Sequence, residues 1–252
     1  MLVVATILAL AATKSSAEKT YNYNWNGDNY FAESTSGINT GIIKTGNSVT
    51  FKSLTDRCAR GNANFTYDDD CDRGIFRSQL QKEATLAVGK NLRYNFSVKD
   101  DGVRGLGINY LGINIFEVKP FGGMNPTVPT LTIYFQPNTR ELRTMVTMSN
   151  EKVGRKTEFE TSIGTLKDGF NDFQIETKQS IGRDGYIKIL YNGRIVFQHH
   201  GKNTYAHPYG LQYWFGPYIC CGNAKPGEPN HVMVYRNISG VVDNNIQAPC
   251  RM

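Results

Sequence analysis

From Glu18 to the C-terminus the chain has almost no helical periodicity, and instead repeats short runs of alternating apolar and polar residues bounded by Gly, Asn, Asp or Pro. Alternation at a period of two places one set of side chains in a core and the other in water, so the chain must be built mostly from β-strands. Leu92-Arg93-Tyr94-Asn95-Phe96-Ser97-Val98 alternates cleanly, and Phe173-Gln174-Ile175-Glu176-Thr177 does so again. Between Tyr186 and Phe197 two apolar runs flank Asn192-Gly193, the dipeptide that favours a tight hairpin turn. Roughly a dozen such runs exceed what one open twisted sheet usually holds, so two packed antiparallel sheets are expected, an all-β sandwich. No Pro/Ser-rich linker, composition break or internal repeat divides residues 18–252, which read as one domain. The Gly- and Pro-rich stretch from Gly102 to Pro129 is expected to supply loops that shape an open cleft.

Residues 1–17 read as a secretory signal peptide. Leu2 to Ala12 is apolar apart from Thr6, is too short to cross a bilayer, and is followed by the small-residue pattern Ser15-Ser16-Ala17, although no basic residue precedes it. Export makes the five cysteines disulfide candidates: Cys58 with Cys71, and Cys250 with either Cys220 or Cys221, leaving one thiol over. Asn64, Asn95 and Asn237 begin N-glycosylation sequons.

The formal charge is +6, and about +5 once Lys14 of the leader is discounted, which favours an anionic partner. There is no zinc-finger spacing, basic helix or aromatic-interleaved basic run, so nucleic acid is not expected. No His/Cys cluster has zinc spacing. Asp68-Asp69-Asp70 with Asp72 is the one place where calcium is conceivable, but it lacks the Gly and Glu of an EF-hand loop, so no cofactor is expected. Glu158 and Glu160 share a strand face as glycosidase carboxylates would, but no third acid follows at a suitable spacing.

Three segments present polar side chains at every second position. Phe76 to Gln81 carries Arg77, Gln79 and Gln81; Ile115 to Lys119 carries Glu117 and Lys119; Gln212 to Tyr218 carries Gln212, Trp214 and Tyr218. Taken singly these are ordinary wet strand faces. Together they hold what recognises a carboxylated sugar: a guanidinium fork and amides for the carboxylate, and aromatic rings for the sugar face.

In this order of segments the chain resembles the jelly-roll polysaccharide lyases, the group of alginate and glucuronan lyases. Arg77-Ser78-Gln79-Leu80-Gln81 stands where that group has Arg-(Ser/Thr)-Glu-Leu-Arg, keeping the first Arg and the Leu. Gln212 to Tyr218 keeps the Gly216 and Tyr218 of a Tyr-x-Lys-x-Gly-x-Tyr strand, with Trp214 in place of the Lys. Glu117-Val118-Lys119 stands where the group has Gln-Ile-His. The resemblance implies a jelly-roll sandwich and cleavage of a uronic-acid polymer by β-elimination. Arg77, helped by Gln79 or Gln81, would neutralise the uronate carboxylate so that the C5 proton becomes acidic. Tyr218 would protonate the leaving oxygen and could also act as base if a cation such as Lys119 lowers its pKa; Lys119 itself or His207 are the alternative bases. Glu117, Gln212 and Trp214 would complete the binding surface, Trp214 as a stacking platform. The expected partner is an acidic polysaccharide, met by a monomer and away from membranes. The rival expectation is a non-catalytic carbohydrate-binding protein on the same scaffold.

Overall fold

The computed structural model describes residues 18–25, 28–34, 38–53, 76–86, 88–102, 112–120, 128–151, 154–205, 210–219 and 231–246. The leader, all five cysteines, Asn64, the Asp68–Asp72 cluster and His207 lie outside these, as does the side chain of Glu158.

In chain order the elements are β1 (Glu18–Trp25), β2 (Asp28–Ser34), the single-turn α1 (Ile38–Gly41), β3 (Ile42–Thr45), β4 (Ser48–Ser53), β5 (Phe76–Leu86), β6 (Asn91–Asp100), β7 (Ile113–Pro120) and β8 (Leu131–Phe135). There follow β9 (Glu141–Glu151), β10 (Gly154–Thr165), β11 (Asn171–Lys178), β12 (Tyr186–Tyr191), β13 (Arg194–His200), β14 (Leu211–Ile219) and β15 (His231–Val242). They form two antiparallel sheets, one of eight strands in the order β1-β2-β5-β14-β7-β8-β9-β10, the other of seven in the order β13-β12-β11-β6-β15-β4-β3. Neither closes on itself, so the architecture is the sandwich that the alternating pattern calls for.

The alternation reads directly into burial. On β6, Leu92, Tyr94, Phe96 and Val98 are almost wholly buried, and Phe173 and Ile175 of β11 join them. Phe96 is the hub: its ring stacks on Phe173 of its own sheet at 4.9 Å and on Phe116 of the other at 5.5 Å, and meets Phe215 edge-on at 5.3 Å. Rings at these separations add to the free energy of area burial, so this aromatic contact joins the two sheets. The hairpin at Asn192-Gly193 joins β12 to β13; both residues have positive φ, 49° and 77°, as the mirror-image turn requires. The stretch expected to carry loops contains β7, a central strand of the eight-stranded sheet.

Two of the sequon asparagines stand on adjacent strands. Asn95 Nδ2 donates to Ser239 Oγ at 3.1 Å, while Asn237 Nδ2 donates to Ser97 Oγ at 3.2 Å, so each amide is held by the serine of the other's sequon.

Candidate active site

The three polar segments become neighbours. β14 lies between β5 and β7, and antiparallel pairing sets Trp214 opposite both Gln81 and Glu117, Gln212 opposite Lys119, and Tyr218 opposite both Arg77 and Asn114. Leu80, Phe116, Val118, Tyr213 and Phe215 fill the core from the inner face of the same strands, so Arg77, Gln79, Gln81, Glu117, Lys119, Gln212, Trp214 and Tyr218 share the outer face.

Two irregularities shape that face. The β14–β7 register slips between Phe215 and Tyr218, and the β7–β8 register slips between Asn114 and Phe116. Residues three apart on a regular strand point to opposite faces, yet with the extra residue at Ile115 both Asn114 and Glu117 reach the outer one, where Asn114 Nδ2 donates to Glu117 Oε1 at 2.6 Å. The carbonyl of Ile115 is bound from the opposite sheet by Tyr235 Oη at 2.9 Å. At the other slip, Gly216 has φ +115°, and an added Cβ would stand 2.3 Å from the Ser78 carbonyl oxygen. Glycine is required there by both conformation and space, which explains why it sits between Trp214 and Tyr218.

The face carries paired charges. Arg77 Nη1 lies 3.3 Å from Glu33 Oε2, and its guanidinium carbon is 5.3 Å from the centre of the Tyr218 ring. Lys119 Nζ lies 3.7 Å from Glu117 Oε2 and 4.1 Å from the centre of the Trp214 ring. Gln81 Nε2 donates to Gln212 Oε1, and Gln79 Nε2 reaches the Gly216 carbonyl at 3.5 Å. Glu33 and Glu117 are both buried.

Burial pushes the Lys119 pKa below that of an ordinary lysine; Arg77 reinforces the shift, while Glu117 and Glu33 oppose it. An ammonium in this position sheds its proton more readily than one in water, and the neutral amine is a base. Trp214 is not the open stacking platform that its place in the motif implies. Only 5% of it is exposed, with Lys119 over its ring face and Phe31 meeting it edge-on at 6.1 Å, so it seats Lys119 instead.

Glu33, Phe31 and Asn114 belong to this face and are not among the residues the motifs single out. β2 does alternate, with Tyr30, Ala32 and Ser34 inward and Phe31 and Glu33 outward, but 44 residues separate Glu33 from Arg77 and nothing local announces their pairing. Asn114 falls out of phase with Glu117 and reaches the face only through the bulge.

A cavity of about 340 Å³ lies instead on the outer side of the seven-stranded sheet, lined by Asn95, Ser97, Asp172, Gln174, Arg236 and Asn237 among others. Its lining includes Asp172 and Arg236 but no lysine or tyrosine. Among the described residues no group of three or more His, Cys, Asp or Glu could hold a metal ion.

No protein-family profile matches the sequence, and no curated protein matches it. Solved structures do match. The endo-β-1,4-glucuronan lyase of the fungus Trichoderma reesei superposes with a TM-score of 0.61 at 13% identity, over 91% of this chain and 94% of that one. An alginate lyase of Pseudomonas aeruginosa gives 0.56 at 12% identity, over 80% and 86%. An alginate lyase variant with a lysine and a tyrosine each replaced by alanine, solved in complex with an alginate tetrasaccharide, gives 0.50 at 13% identity, over 89% and 96%. The two-sheet sandwich described above is therefore the jelly-roll fold of the alginate and glucuronan lyases.

Proposed function

We propose that this protein is an exported polysaccharide lyase that cleaves a uronic-acid polymer such as glucuronan or alginate by β-elimination. The observation that carries this reading is Lys119, an amine whose burial favours its neutral form, on the same outer face as Arg77 and Tyr218. The solved lyase variant captured with a tetrasaccharide had a lysine and a tyrosine removed, the residue types of Lys119 and Tyr218.

In this mechanism the uronate carboxylate sits against Arg77 and the amides of Gln79 and Gln81, which lower the cost of charge building up at C5. Lys119 Nζ takes the C5 proton. The electron pair of the broken C5–H bond forms the C4–C5 double bond as the C4–O bond breaks, and the departing oxygen takes the proton of Tyr218 Oη. Lys119 then returns its proton to solvent and Tyr218 recovers one, leaving an unsaturated uronate at the new non-reducing end. Asn114 holds Glu117, and Glu117 with Trp214 holds Lys119.

The test is incubation with a panel of polyuronates while following ultraviolet absorbance from the unsaturated product. Appearance of the chromophore with at least one polymer, and its loss in Lys119→Ala and Tyr218→Phe, is the expected outcome. No chromophore with any polymer overturns the reading. A second reading, a glycan-binding protein without activity, draws on the ion pairs by which Glu33 and Glu117 already engage Arg77 and Lys119. Saturable binding without chain cleavage would decide for it.

A further inference from the structure

The pairing registers place a second cationic position at a defined distance from Arg77. Arg77 pairs with Tyr218, Tyr218 with Asn114, Asn114 with Tyr134, and Tyr134 with Arg143, so these five residues form one continuous row across β5, β14, β7, β8 and β9. All five face outward: Leu142, Thr144 and Val146 on either side of Arg143 are buried on β9, and Ile133 and Phe135 flank Tyr134 from the core side of β8. The two bulges keep the row in step, since they bring Asn114 level with both Tyr218 and Tyr134. Four strand spacings of about 4.8 Å separate the two guanidinium-bearing positions by roughly 19 Å. Each spacing is close to the advance of one residue in an extended 1,4-linked uronate chain, so a polymer lying across the strands would present a carboxylate at both ends of the row.

Arg143 is already in contact with carboxylates. Its Nε is 3.2 Å from Glu160 Oε1, its Nη1 donates to Glu141 Oε2 at 3.4 Å, and Tyr134 Oη donates to Glu160 Oε1. Glu160 is 43% exposed, so this is a surface pair of the kind worth little in water and readily exchanged. A bidentate guanidinium with a phenol beside it is a ready-made carboxylate receptor once Glu160 turns away.

We infer that Tyr134 and Arg143 form a distal subsite for a second uronate carboxylate of the same chain, with Glu160 as the internal stand-in that the substrate displaces. The inference rests on the lyase reading for its substrate class, but binding alone can test it. Unlike a purely structural role, it requires opposite effects from the two partners of the pair. Arg143→Ala should weaken the grip on a long substrate, while Glu160→Gln, which keeps shape but removes the competing charge, should strengthen it.

The experiment compares hexa- and trisaccharides prepared from glucuronan and from alginate, since the trisaccharide is too short to reach from Arg77 to Arg143. Arg143→Ala is expected to lower the hexasaccharide-to-trisaccharide ratio of kcat/KM by about tenfold, the size of one lost charge-assisted hydrogen bond, and Glu160→Gln to raise it. A ratio unchanged in Arg143→Ala, or lowered by both variants, overturns the subsite. If the wild-type protein binds hexasaccharide without cleaving it, catalysis fails but the same comparison made with Kd still decides the subsite. Absence of both binding and cleavage in the wild type overturns the two together.

Discussion

Lys119 shows how one residue's role is set by what surrounds it. Exposed on a sheet it would be a solubilising cation; half-buried against Trp214 and Glu117, with Arg77 adding repulsion, it is an amine whose charged form is disfavoured. If Lys119 is the base proposed above, it must be deprotonated to act, and the rate should rise with pH through its folded pKa, which lies below the 10.5 of a free lysine. Glu117 opposes that lowering, so Glu117→Gln should move the rising limb of the pH–rate profile to lower pH, read from kcat/KM across the range. A limb that does not move would mean that Glu117 does not act on Lys119. On the same proposal Tyr218→Phe would remove the proton donor, and it is expected to reduce kcat by about 10²–10⁴-fold with little change in KM. If Arg77 is the carboxylate clamp, Arg77→Ala should affect both parameters, because such a clamp binds the ground state and stabilises the developing charge.

At the scale of elements, the bulges in β7 and β14 decide which side chains meet. Asn114 and Glu117 share a face only because Ile115 is extra, and the carbonyl that pairing would otherwise satisfy is bound by Tyr235 from the opposite sheet. Tyr235→Phe leaves that buried carbonyl without its partner, so a loss of about 1–3 kcal/mol in unfolding free energy is expected by denaturant titration. If the protein is the proposed lyase, the same variant should lower kcat/KM more than its loss of stability alone would, because the bulge that brings Asn114 to Glu117 loses its support. Gly216→Ala is the harsher change. It combines a left-handed backbone with a Cβ driven against the Ser78 carbonyl, on the strand that carries both Trp214 and Tyr218. At least about 2 kcal/mol should be lost, and activity with it.

Across the whole molecule, the two sheets are held together by aromatic packing around Phe96, and Phe96→Ala is expected to cost about 3–5 kcal/mol in chemical denaturation, as for other large aromatic truncations in cores. The formal charge of +6 acts at the same scale. If the partner is a polyanion, raising salt well above physiological strength, where the screening length falls below about 8 Å, should raise KM for the polymer while leaving the unfolding midpoint nearly unchanged. A KM indifferent to salt would point to a neutral glycan.

The β-sandwich was legible in the sequence because burial on a strand is a local, period-two property: Leu92 to Val98, Phe173 to Thr177 and Tyr186 to Phe197 each declare their faces without reference to anything distant. For the same reason the outward set Arg77, Gln79, Gln81, Glu117, Lys119, Gln212, Trp214 and Tyr218 could be read off three strands. That β5, β14 and β7 stand side by side is a matter of sheet order, which the sequence suggested only through its resemblance to a family. What no local pattern carries is whatever depends on pairing between distant strands or on a break in the period. Glu33 meets Arg77 across 44 residues, Asn114 joins Glu117 only through a bulge, and Trp214 lies under Lys119 rather than open to a sugar. Alternation tells each strand which face is wet; only the register between strands decides which wet residues touch, and that register is set by the packing of the whole sandwich.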